Sequence, residues 1–347
     1  MSNKPPIEVP QGAIRLNTDS QKLEFYAQDR WYEMATDTPT LNNETLSENS
    51  GGARALFTGG NNGSTYDDIE LVTISTAGNA TDFGNLTAVT LASGNCASRT
   101  RGLIGGGQQP GSFHAKIDFV TIASTGNATN FGDLTSARDF LSGLSNQTRG
   151  LFNGGRNPGG VNIIDFVTIA STGAAKDFGD NITVRKNYSA NAASPTRGLM
   201  AGGVSSPTTF EIDFVTIATT GDGQDFGDLK KMQGGAGASN AIRAIFAGGY
   251  APAPTVGDVI EFSTIATLGN AITFGDLTAG RRGLGGAASS VRAVFAGGAT
   301  PSDVNTIDYV AIATTGDAVD FGDLTIASSS NGQKKNVTGL SNGHGGL

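Results

Sequence analysis

The chain has 347 residues, a formal net charge of −8 and a sequence pI of about 4.8. This charge excludes a general nucleic-acid-binding protein, which needs a basic surface. The 51 glycines, set among many Phe, Ile, Leu and Val residues, indicate a folded chain with many tight turns.

Residues 1–43 do not follow the pattern of the rest of the chain and predict a small β-meander with a linker. Short runs of strand-forming residues at 12–17, 22–26 and 31–34 are separated by polar turns. Three such strands bury little apolar surface on their own, so we expect this segment to attach to another surface. Its candidate contact residues are Ile14, Leu16, Phe25, Tyr26 and Trp31.

The beginning of the chain is polar, and no apolar run of the length of a signal peptide or a transmembrane helix follows it. We therefore expect neither a secretory route nor membrane insertion. The single cysteine, Cys96, excludes an intramolecular disulfide, so a chain of this size must be held together by its own core.

Residues 44–347 consist of six repeats of about 47 residues, each with four short runs separated by glycine-rich turns. The first run has the form Arg-Gly/Ala-Leu-Phe-x-Gly-Gly. The second contains an acidic residue, as in 117–126, the third a Phe-Gly pair, as in 127–135, and the fourth is looser, as in 141–146. The arginines are Arg54, Arg101, Arg149, Arg197, Arg243 and Arg292, and the acids of the second run are Glu70, Asp118, Asp165, Asp213, Glu261 and Asp308.

Four strand-forming runs per repeat at this period are typical of the blades of a β-propeller. In 117–122 both alternating faces are largely apolar, with Ile117 and Phe119 on one face and Val120 and Ile122 on the other. A strand with one solvated face would alternate apolar and polar residues, whereas a blade is packed on both sides. We predict an all-β fold with a six-bladed β-propeller over 44–347; an open β-solenoid is the alternative architecture.

The loose fourth run occurs seven times, once more than six repeats require. Its first copy lies at 46–50, before the first repeat, and its last copy at 338–342. We expect one terminal copy to complete a blade that begins at the other end of the chain, which would close the ring and remove free strand edges. The sequence does not decide which copy does so.

The residues that recur in every repeat allow two interpretations. A ring of six carboxylates could line a central channel and hold cations, or each blade could contain an Arg–carboxylate pair and a turn capped by aspartate. Recurrence in all six blades favours the architectural interpretation, and we expect no metal and no cofactor. The residues that follow Phe-Gly are Asn85, Asp133, Asp180, Asp228, Asp276 and Asp323.

The segments after each Gly-Gly pair vary most between repeats and, by symmetry, should emerge on one face of the propeller. Exposed aromatic side chains on such loops suit contact with sugars or proteins. The alternative is that these loops are solvated turns that tolerate change. The candidate binding residues are Tyr66, Phe113, His114, Arg156, Phe210 and Tyr250.

Catalytic motifs are sparse, and we expect a binding or structural protein, not an enzyme. His114 and His344 are the only histidines, and no His or Cys cluster has metal-ligand spacing. No nucleophile elbow or phosphate-binding loop is present. A carboxylate pair for glycoside hydrolysis stays open as an alternative, because acidic residues are plentiful.

The segment Gly-Ala-Ile-Arg-Leu-Asn-Thr-Asp at 12–19, with 22–26 and Trp31, resembles a short module of structural and tail-fibre proteins of tailed bacteriophages. The repeat Ile-Asp-Phe-Val-Thr-Ile-Ala-Ser-Thr-Gly-Asn-Ala-x-x-Phe-Gly-Asp-Leu-Thr is similar to repeats in virion proteins of marine phages, cyanophages among them. The repeats are also distantly similar to kelch-type propellers through the Gly-Gly pair, although the kelch Trp is missing from each one.

This resemblance implies a virion protein, made in the host cytoplasm, that forms a tail fibre, a spike-type appendage or its adaptor. The N-terminal segment would bind other virion proteins, and the propeller would recognise a glycan or protein on the host cell surface. Alternatives are a purely structural adaptor or decoration protein of tail or capsid, and a polysaccharide depolymerase. We expect no nucleic-acid partner, and if the protein forms homo-oligomers, the N-terminal strands are the expected contact.

Overall fold

A computed structural model describes residues 13–17, 22–27, 30–33, 53–185, 189–203, 210–231, 235–250, 255–325 and 333–346. All regular elements in these residues are β-strands. The chain divides into two compact units, Met1–Thr45 and Leu46–Leu347.

The first unit is an antiparallel sheet of three strands, β1 (Ile14–Asn17), β2 (Lys22–Ala27) and β3 (Arg30–Glu33), in the order β1-β2-β3. The predicted β-meander is therefore confirmed. Arg15 lies opposite Glu24 and Tyr26 opposite Trp31, so cross-strand pairs of opposite charge and of aromatic rings stabilise the sheet.

The second unit contains thirty strands among its described residues. Most have four to six residues, and they are rich in Val, Ile, Phe and Thr. In chain order they are β4 (Arg54–Thr58), β5 (Asp68–Thr73), β6 (Thr81–Asn85), β7 (Gly94–Ala97), β8 (Arg101–Gly105), β9 (Gln108–Gln109), β10 (Ser112–Phe113), β11 (Lys116–Thr121), β12 (Thr129–Asp133), β13 (Ser142–Ser145), β14 (Arg149–Asn153), β15 (Arg156–Asn157), β16 (Gly159–Gly160), β17 (Ile163–Thr168), β18 (Lys176–Asp180), β19 (Ala190–Ala193), β20 (Arg197–Ala201), β21 (Glu211–Thr216), β22 (Gln224–Asp228), β23 (Ala236–Ser239), β24 (Arg243–Ala247), β25 (Val259–Thr264), β26 (Ile272–Asp276), β27 (Gly285–Ala288), β28 (Arg292–Ala296), β29 (Ala299–Thr300), β30 (Ser302–Asp303), β31 (Thr306–Ala311), β32 (Val319–Asp323) and β33 (Thr338–Ser341).

These strands form a six-bladed β-propeller, as predicted. Each blade is an antiparallel sheet of four strands, and blades 2 to 6 are built from consecutive parts of the chain. Blade 1 has the order β33-β4-β5-β6, so its innermost strand comes from the last repeat. The later copy of the loose run thus closes the ring. The earlier copy, at 46–50, lies outside the described residues.

The loose run plays a different part from the one its position in the repeat suggests. It does not end a blade but forms the innermost strand of the following one: β13 pairs with β14, in blade 3, after the chain has left blade 2 at β12. The six innermost strands are neighbours around the axis, with β33 next to β7 completing the circle.

The hydrophobic core is divided among the six interfaces between blades. Ile117 belongs to the cluster between blades 2 and 3, whereas Val120 and Ile122 of the same strand region pack in the cluster between blades 1 and 2. Both faces of this strand are therefore buried, as its sequence predicts. Apolar contacts with both neighbours hold each blade in place.

Backbone hydrogen bonds also join the outer rims of neighbouring blades. Gly173 N–H donates to Phe131 O at 2.8 Å, and Ala175 N–H donates to Asp133 O at 2.7 Å. The Phe-Gly glycine makes this approach possible: Gly132 has a φ of +157°, and a Cβ there would lie 2.2 Å from Gly173 O. The recurring Phe-Gly pair thus reflects contact between blades.

The innermost strands reveal a second, longer period. In blades 1, 3 and 5 they end at a serine that is followed by asparagine, and in blades 2, 4 and 6 they end at an alanine that is followed by serine. The Ser145 hydroxyl donates to Ala97 O at 2.7 Å, and the Ser239 hydroxyl donates to Ala193 O at 2.9 Å. The ring is thus three two-blade units as well as six blades. The pairs are Ser341-Asn342, Ser145-Asn146 and Ser239-Asn240, alternating with Ala97-Ser98, Ala193-Ser194 and Ala288-Ser289.

Candidate functional site on the loop face

The recurring arginines join blades and do not pair with the recurring acids, so the expected Arg–carboxylate pair is wrong. Nη1 of Arg101 donates to Ile169 O at 3.2 Å and to Ala170 O at 2.9 Å, both in the turn of the next blade. Its guanidinium also lies over the ring of Phe119, 4.9 Å from the centroid. The carbonyl contact recurs at all six arginines, through Arg54, Arg149, Arg197, Arg243 and Arg292.

The recurring acids are buried, and several of them pair with a cation whose residue type differs between blades. Asp165 lies 3.0 Å from Arg138, a residue on the connection that enters blade 3. Thr135 on the same connection donates its hydroxyl to Asp165 at 2.6 Å. Burial lowers the pKa of Arg138, and Asp165 opposes that effect. The corresponding pairs are Asp213–Arg185, Asp308–Arg281 and Glu70–Lys334.

The caps at the rim come from a neighbouring blade and not from the acid that follows Phe-Gly. Asp222 Oδ1 accepts a hydrogen bond from the backbone N–H of Asp180 at 3.0 Å, and Asn127 does the same for Asn85. The acid after Phe-Gly is itself solvent-exposed in most blades. Neither set of acids lines the two axial cavities described below, which removes the basis for a carboxylate-lined channel.

The strand directions define two faces. Each Gly-Gly loop, between the second and third strands of a blade, emerges at the same end as the connections between blades; we call this end the loop face. The opposite end, the hairpin face, carries the turns between the first and second and between the third and fourth strands. The variable loops therefore share one face, as the repeat symmetry predicts.

The candidate binding residues on these loops differ in exposure. Tyr66 is only 8% exposed, and its hydroxyl donates to Asn62 Oδ1, so the expectation of an exposed aromatic is wrong there. Phe210 is half-buried against the core between blades 4 and 5. Tyr250 is half-buried, with the Arg282 guanidinium 5.7 Å from its ring centroid.

His114 has a structural role at the entrance to blade 2. Thr90 stands where blade 3 has its buried Arg138, and its hydroxyl lies 3.3 Å from Nε2 of His114. Burial lowers the pKa of His114, against the influence of nearby Asp118. His114 thus contacts, through Thr90, the position that carries a buried arginine at the entrance to blade 3.

Phe113 and Arg156 meet at the boundary of blades 2 and 3. The Arg156 guanidinium lies 4.8 Å from the ring centroid of Phe140 and 5.9 Å from that of Phe113. Both nitrogens of its fork bind Asp139, at 2.8 and 2.9 Å, and Asp139 is fully buried. Bidentate pairing fixes the guanidinium. We call Phe113, Phe140, Arg156 and Asp139 the aromatic–arginine cluster.

Two small cavities lie along the axis of the ring. The cavity that opens at the loop face has a volume of about 90 Å³ and is lined by Phe140, Ser142, Asn191 and Thr338 among others. The second, of about 60 Å³, lies toward the hairpin face. Residues of the innermost strands, including Asn95 and Asn191, line both.

The segment after β33 fills the hairpin-face end of the axis. His344 Nε2 lies 3.1 Å from Ala97 O and 3.3 Å from Ser145 Oγ, and Gly345 N–H donates to Ser239 O at 2.8 Å. Burial lowers the pKa of His344 to about 4. The axial cavity of the loop face is therefore a cup, closed from below.

The candidate contact residues of the N-terminal segment lie in the first unit. Arg15 pairs with Glu24 at 2.7 Å and stacks on Trp31, 4.1 Å from its ring centroid. Tyr26 and Trp31 are half-buried, whereas Ile14 is 64% exposed. The side chains of Leu16 and Phe25 lie outside the part of the chain that the structure describes.

Chemical signatures of other kinds of site are few. Among the described residues, no group of three or more His, Cys, Asp or Glu is placed to hold a metal ion. Burial raises the pKa of the Cys96 thiol far above its ordinary value, which keeps it protonated. The described part of the chain also contains no helix long and apolar enough to cross a membrane.

No protein-family model matches the chain, and no curated protein matches it in sequence.

Two features of the loop face were not found from the sequence: Phe140 and the asparagines of the cup. Phe140 lies in the loose region of its repeat, where no strand or turn motif marks it. Asn95 and Asn191 occupy a strand position that is glycine in the other four blades. That difference is visible once the innermost strands are aligned, and it is the signal that could have identified them.

Proposed function

We propose that this protein is a virion component of a tailed bacteriophage, a tail-fibre or spike-type appendage whose propeller recognises the host surface through its loop face. The observation that carries the proposal is the contrast between the recurring residues and the variable loops of the propeller. Residues that recur are engaged in contacts between blades, whereas the loops of one face differ in every blade and place the aromatic–arginine cluster beside the cup. Fold alone does not assign function, and surface loops on a rigid scaffold are common binding elements.

The phage assignment rests on the resemblance of residues 12–19 and of the repeat line to phage proteins. In this proposal the N-terminal unit binds other virion proteins, and the protein binds its target without catalysing a reaction. Closure of the ring by β33 makes the propeller a rigid platform, which suits an appendage that must keep its loops in a fixed arrangement.

A purely structural adaptor is the second candidate, and the hairpin face favours it. Ile242 and Leu268 of blade 5 are 65% and 61% exposed, and Val291 of blade 6 is 44% exposed. Blade 2 has threonine at the positions of Ile242 and Leu268, namely Thr100 and Thr125. Apolar side chains exposed on one sector of a face are typical of a contact surface.

Binding of the fluorescently labelled protein to a panel of marine bacteria, cyanobacteria included, tests the proposal by flow cytometry. We expect saturable binding to at least one strain, weakened by Arg156→Ala on the loop face. The matched control is the double variant Ile242→Thr, Leu268→Thr, which introduces residues that other blades carry at those positions and should bind as the parent does. Absence of binding to every strain, or loss only in the hairpin-face variant, would support the adaptor instead.

A further inference from the structure

The cup on the loop face is polar but uncharged. Its described lining consists of Gly, Ala, Ser, Thr, Asn, Leu, Val and Phe, without a carboxylate, a guanidinium or an ammonium group. Asn191 Nδ2 is buried in the wall of the cup and has no hydrogen-bond partner among the described residues, so it is an unsatisfied donor that a ligand oxygen reaches only if the side chain turns toward the cup. A site without charge selects neutral groups, because an ion would lose its hydration without compensation.

The cup is too small for a whole sugar ring. A volume of about 90 Å³ holds roughly six to nine water-sized groups at about 10–15 Å³ each, fewer than the twelve heavy atoms of a hexose. It therefore suits one polar substituent, such as a hydroxymethyl or acetamido group, whose parent ring stays at the mouth.

Phe140 stands at that mouth in an unfavourable backbone conformation. Its φ is +51°, in the left-handed region that bulky residues rarely adopt. The equivalent positions carry Ala92, Gly283 and Asn336, also at positive φ, and glycine and asparagine tolerate that conformation best. Backbone strain of this kind concentrates at functional sites, so a half-exposed phenyl ring here calls for a role that the smaller residues do not fill.

The aromatic–arginine cluster fixes the ring of Phe140 and neutralises the charge next to it. Arg156 covers Phe140 at 4.8 Å, and the buried carboxylate of Asp139 neutralises the guanidinium. The phenyl ring beside the cup is thus apolar and planar, and the guanidinium next to it is already paired with Asp139. This surface offers little to a phosphate or carboxylate and much to the apolar face of a ring.

We propose that Phe140 and the cup form a subsite for one neutral sugar residue of a glycan, with the apolar face of the pyranose against Phe140 and one substituent directed toward Asn191. This inference rests on the proposed function and names the chemistry of the target. A pyranose combines an apolar ring face with hydroxyl groups at its edge, which matches an aromatic ring set beside a polar, uncharged cup.

Saturation-transfer NMR with the full-length protein tests the subsite, with galactose, glucose, mannose and N-acetylglucosamine as neutral probes and glucuronic and N-acetylneuraminic acids as charged ones. We expect signals from at least one neutral sugar and a tenfold or greater loss of affinity in Phe140→Gly. Glycine tolerates the positive φ of this position, so this variant removes the ring without adding strain. Leu268→Ala, on the hairpin face, is the control and should leave affinity unchanged.

Three results would overturn the subsite: equal binding by Phe140→Gly and the parent, binding of the acidic sugars alone, or no signal from any probe. Bacterial cell binding by the intact protein separates this failure from failure of the proposed function. A protein that binds cells but no neutral sugar keeps its host-recognition role and loses the sugar subsite, whereas one that binds neither loses both.

Discussion

The ring closure can be tested by tying its two ends together. Thr338 of β33 lies opposite Thr58 of β4, and their hydroxyl oxygens are 3.1 Å apart although 280 positions separate them in the chain. We expect Thr58→Cys combined with Thr338→Cys to form a disulfide across blade 1. Cys96 is buried and is the only other thiol, so it should not compete.

The expected gain follows from the length of the loop that the crosslink closes. In the chain-entropy model, a loop of 280 positions contributes about 5–6 kcal/mol to the free energy of unfolding. The matched control is Ser142→Cys with Asn153→Cys, the equivalent pair in blade 3, which lies 11 positions apart. That loop contributes about 3 kcal/mol, so loop length alone predicts a difference of about 3 kcal/mol between the two crosslinks.

Urea unfolding of each variant, oxidised and reduced, measures this difference. Comparing the two redox forms of one variant cancels the cost of the hydroxyl and amide groups that the substitutions remove. We expect the crosslink in blade 1 to stabilise the protein by clearly more than the crosslink in blade 3. Failure of the first pair to crosslink, or an equal gain in both variants, would refute closure by β33.

Three further predictions concern single residues. Asn181 is 2% exposed, and neither atom of its side-chain amide has a hydrogen-bond partner among the described residues. The equivalent residue after the Phe-Gly run of blade 2 is Leu134. Asn181→Leu should therefore raise the free energy of unfolding, measured by denaturant titration, by about 2 kcal/mol, and Leu134→Asn should lower it. Gly132→Ala should lower the free energy of unfolding by at least about 2 kcal/mol, because its Cβ would lie 2.2 Å from Gly173 O. Gly173→Ala, with open space around the new Cβ, should leave that free energy unchanged. Equal effects of the two substitutions would contradict the contact between the rims of neighbouring blades. The pKa of His344 falls from 6.5 to about 4 on folding, so the unfolded chain binds more protons between these values. Stability should therefore decrease by about 3 kcal/mol as pH falls through that window, and a His344→Gln variant that shows the same pH profile would disprove the assignment.

The blades and strands could be predicted because each repeat carries its own local signals. The apolar residues on both alternating faces of 117–122 predict a strand that is packed on both sides, and the glycines between the runs predict the turns. Neither prediction requires knowledge of distant residues. Closure was predictable in kind, since one loose run was in excess. The choice of 338–342 depends on pairing across almost the entire chain, which no local pattern contains.

The role of the recurring arginines was mispredicted because recurrence does not reveal the partner. Arg101 reaches carbonyl groups 68 and 69 positions away, in the next blade, and backbone carbonyls leave no mark in a sequence. The partners of the acids could not be found because they do not recur. The position that pairs with the acid carries a different residue type in different repeats, such as Arg138 in one connection and Thr90 in another.

The candidate site was predicted in location but only partly in composition. Symmetry correctly places the variable loops on one face, yet the burial of Tyr66 depends on its bond to Asn62 within one particular loop. Phe140 belongs to a connection between blades, and its proximity to Arg156 arises only when neighbouring blades pack. Residues brought together by such packing cannot be paired from one repeat alone.

A cryo-EM map of the proposed phage particle tests the central proposal most directly. We expect a six-bladed disc on a tail or capsid appendage, with the loop face and Phe140 turned outward. A disc wedged between other virion proteins with its loop face covered would contradict host recognition, and a particle without such a disc would contradict the virion assignment itself.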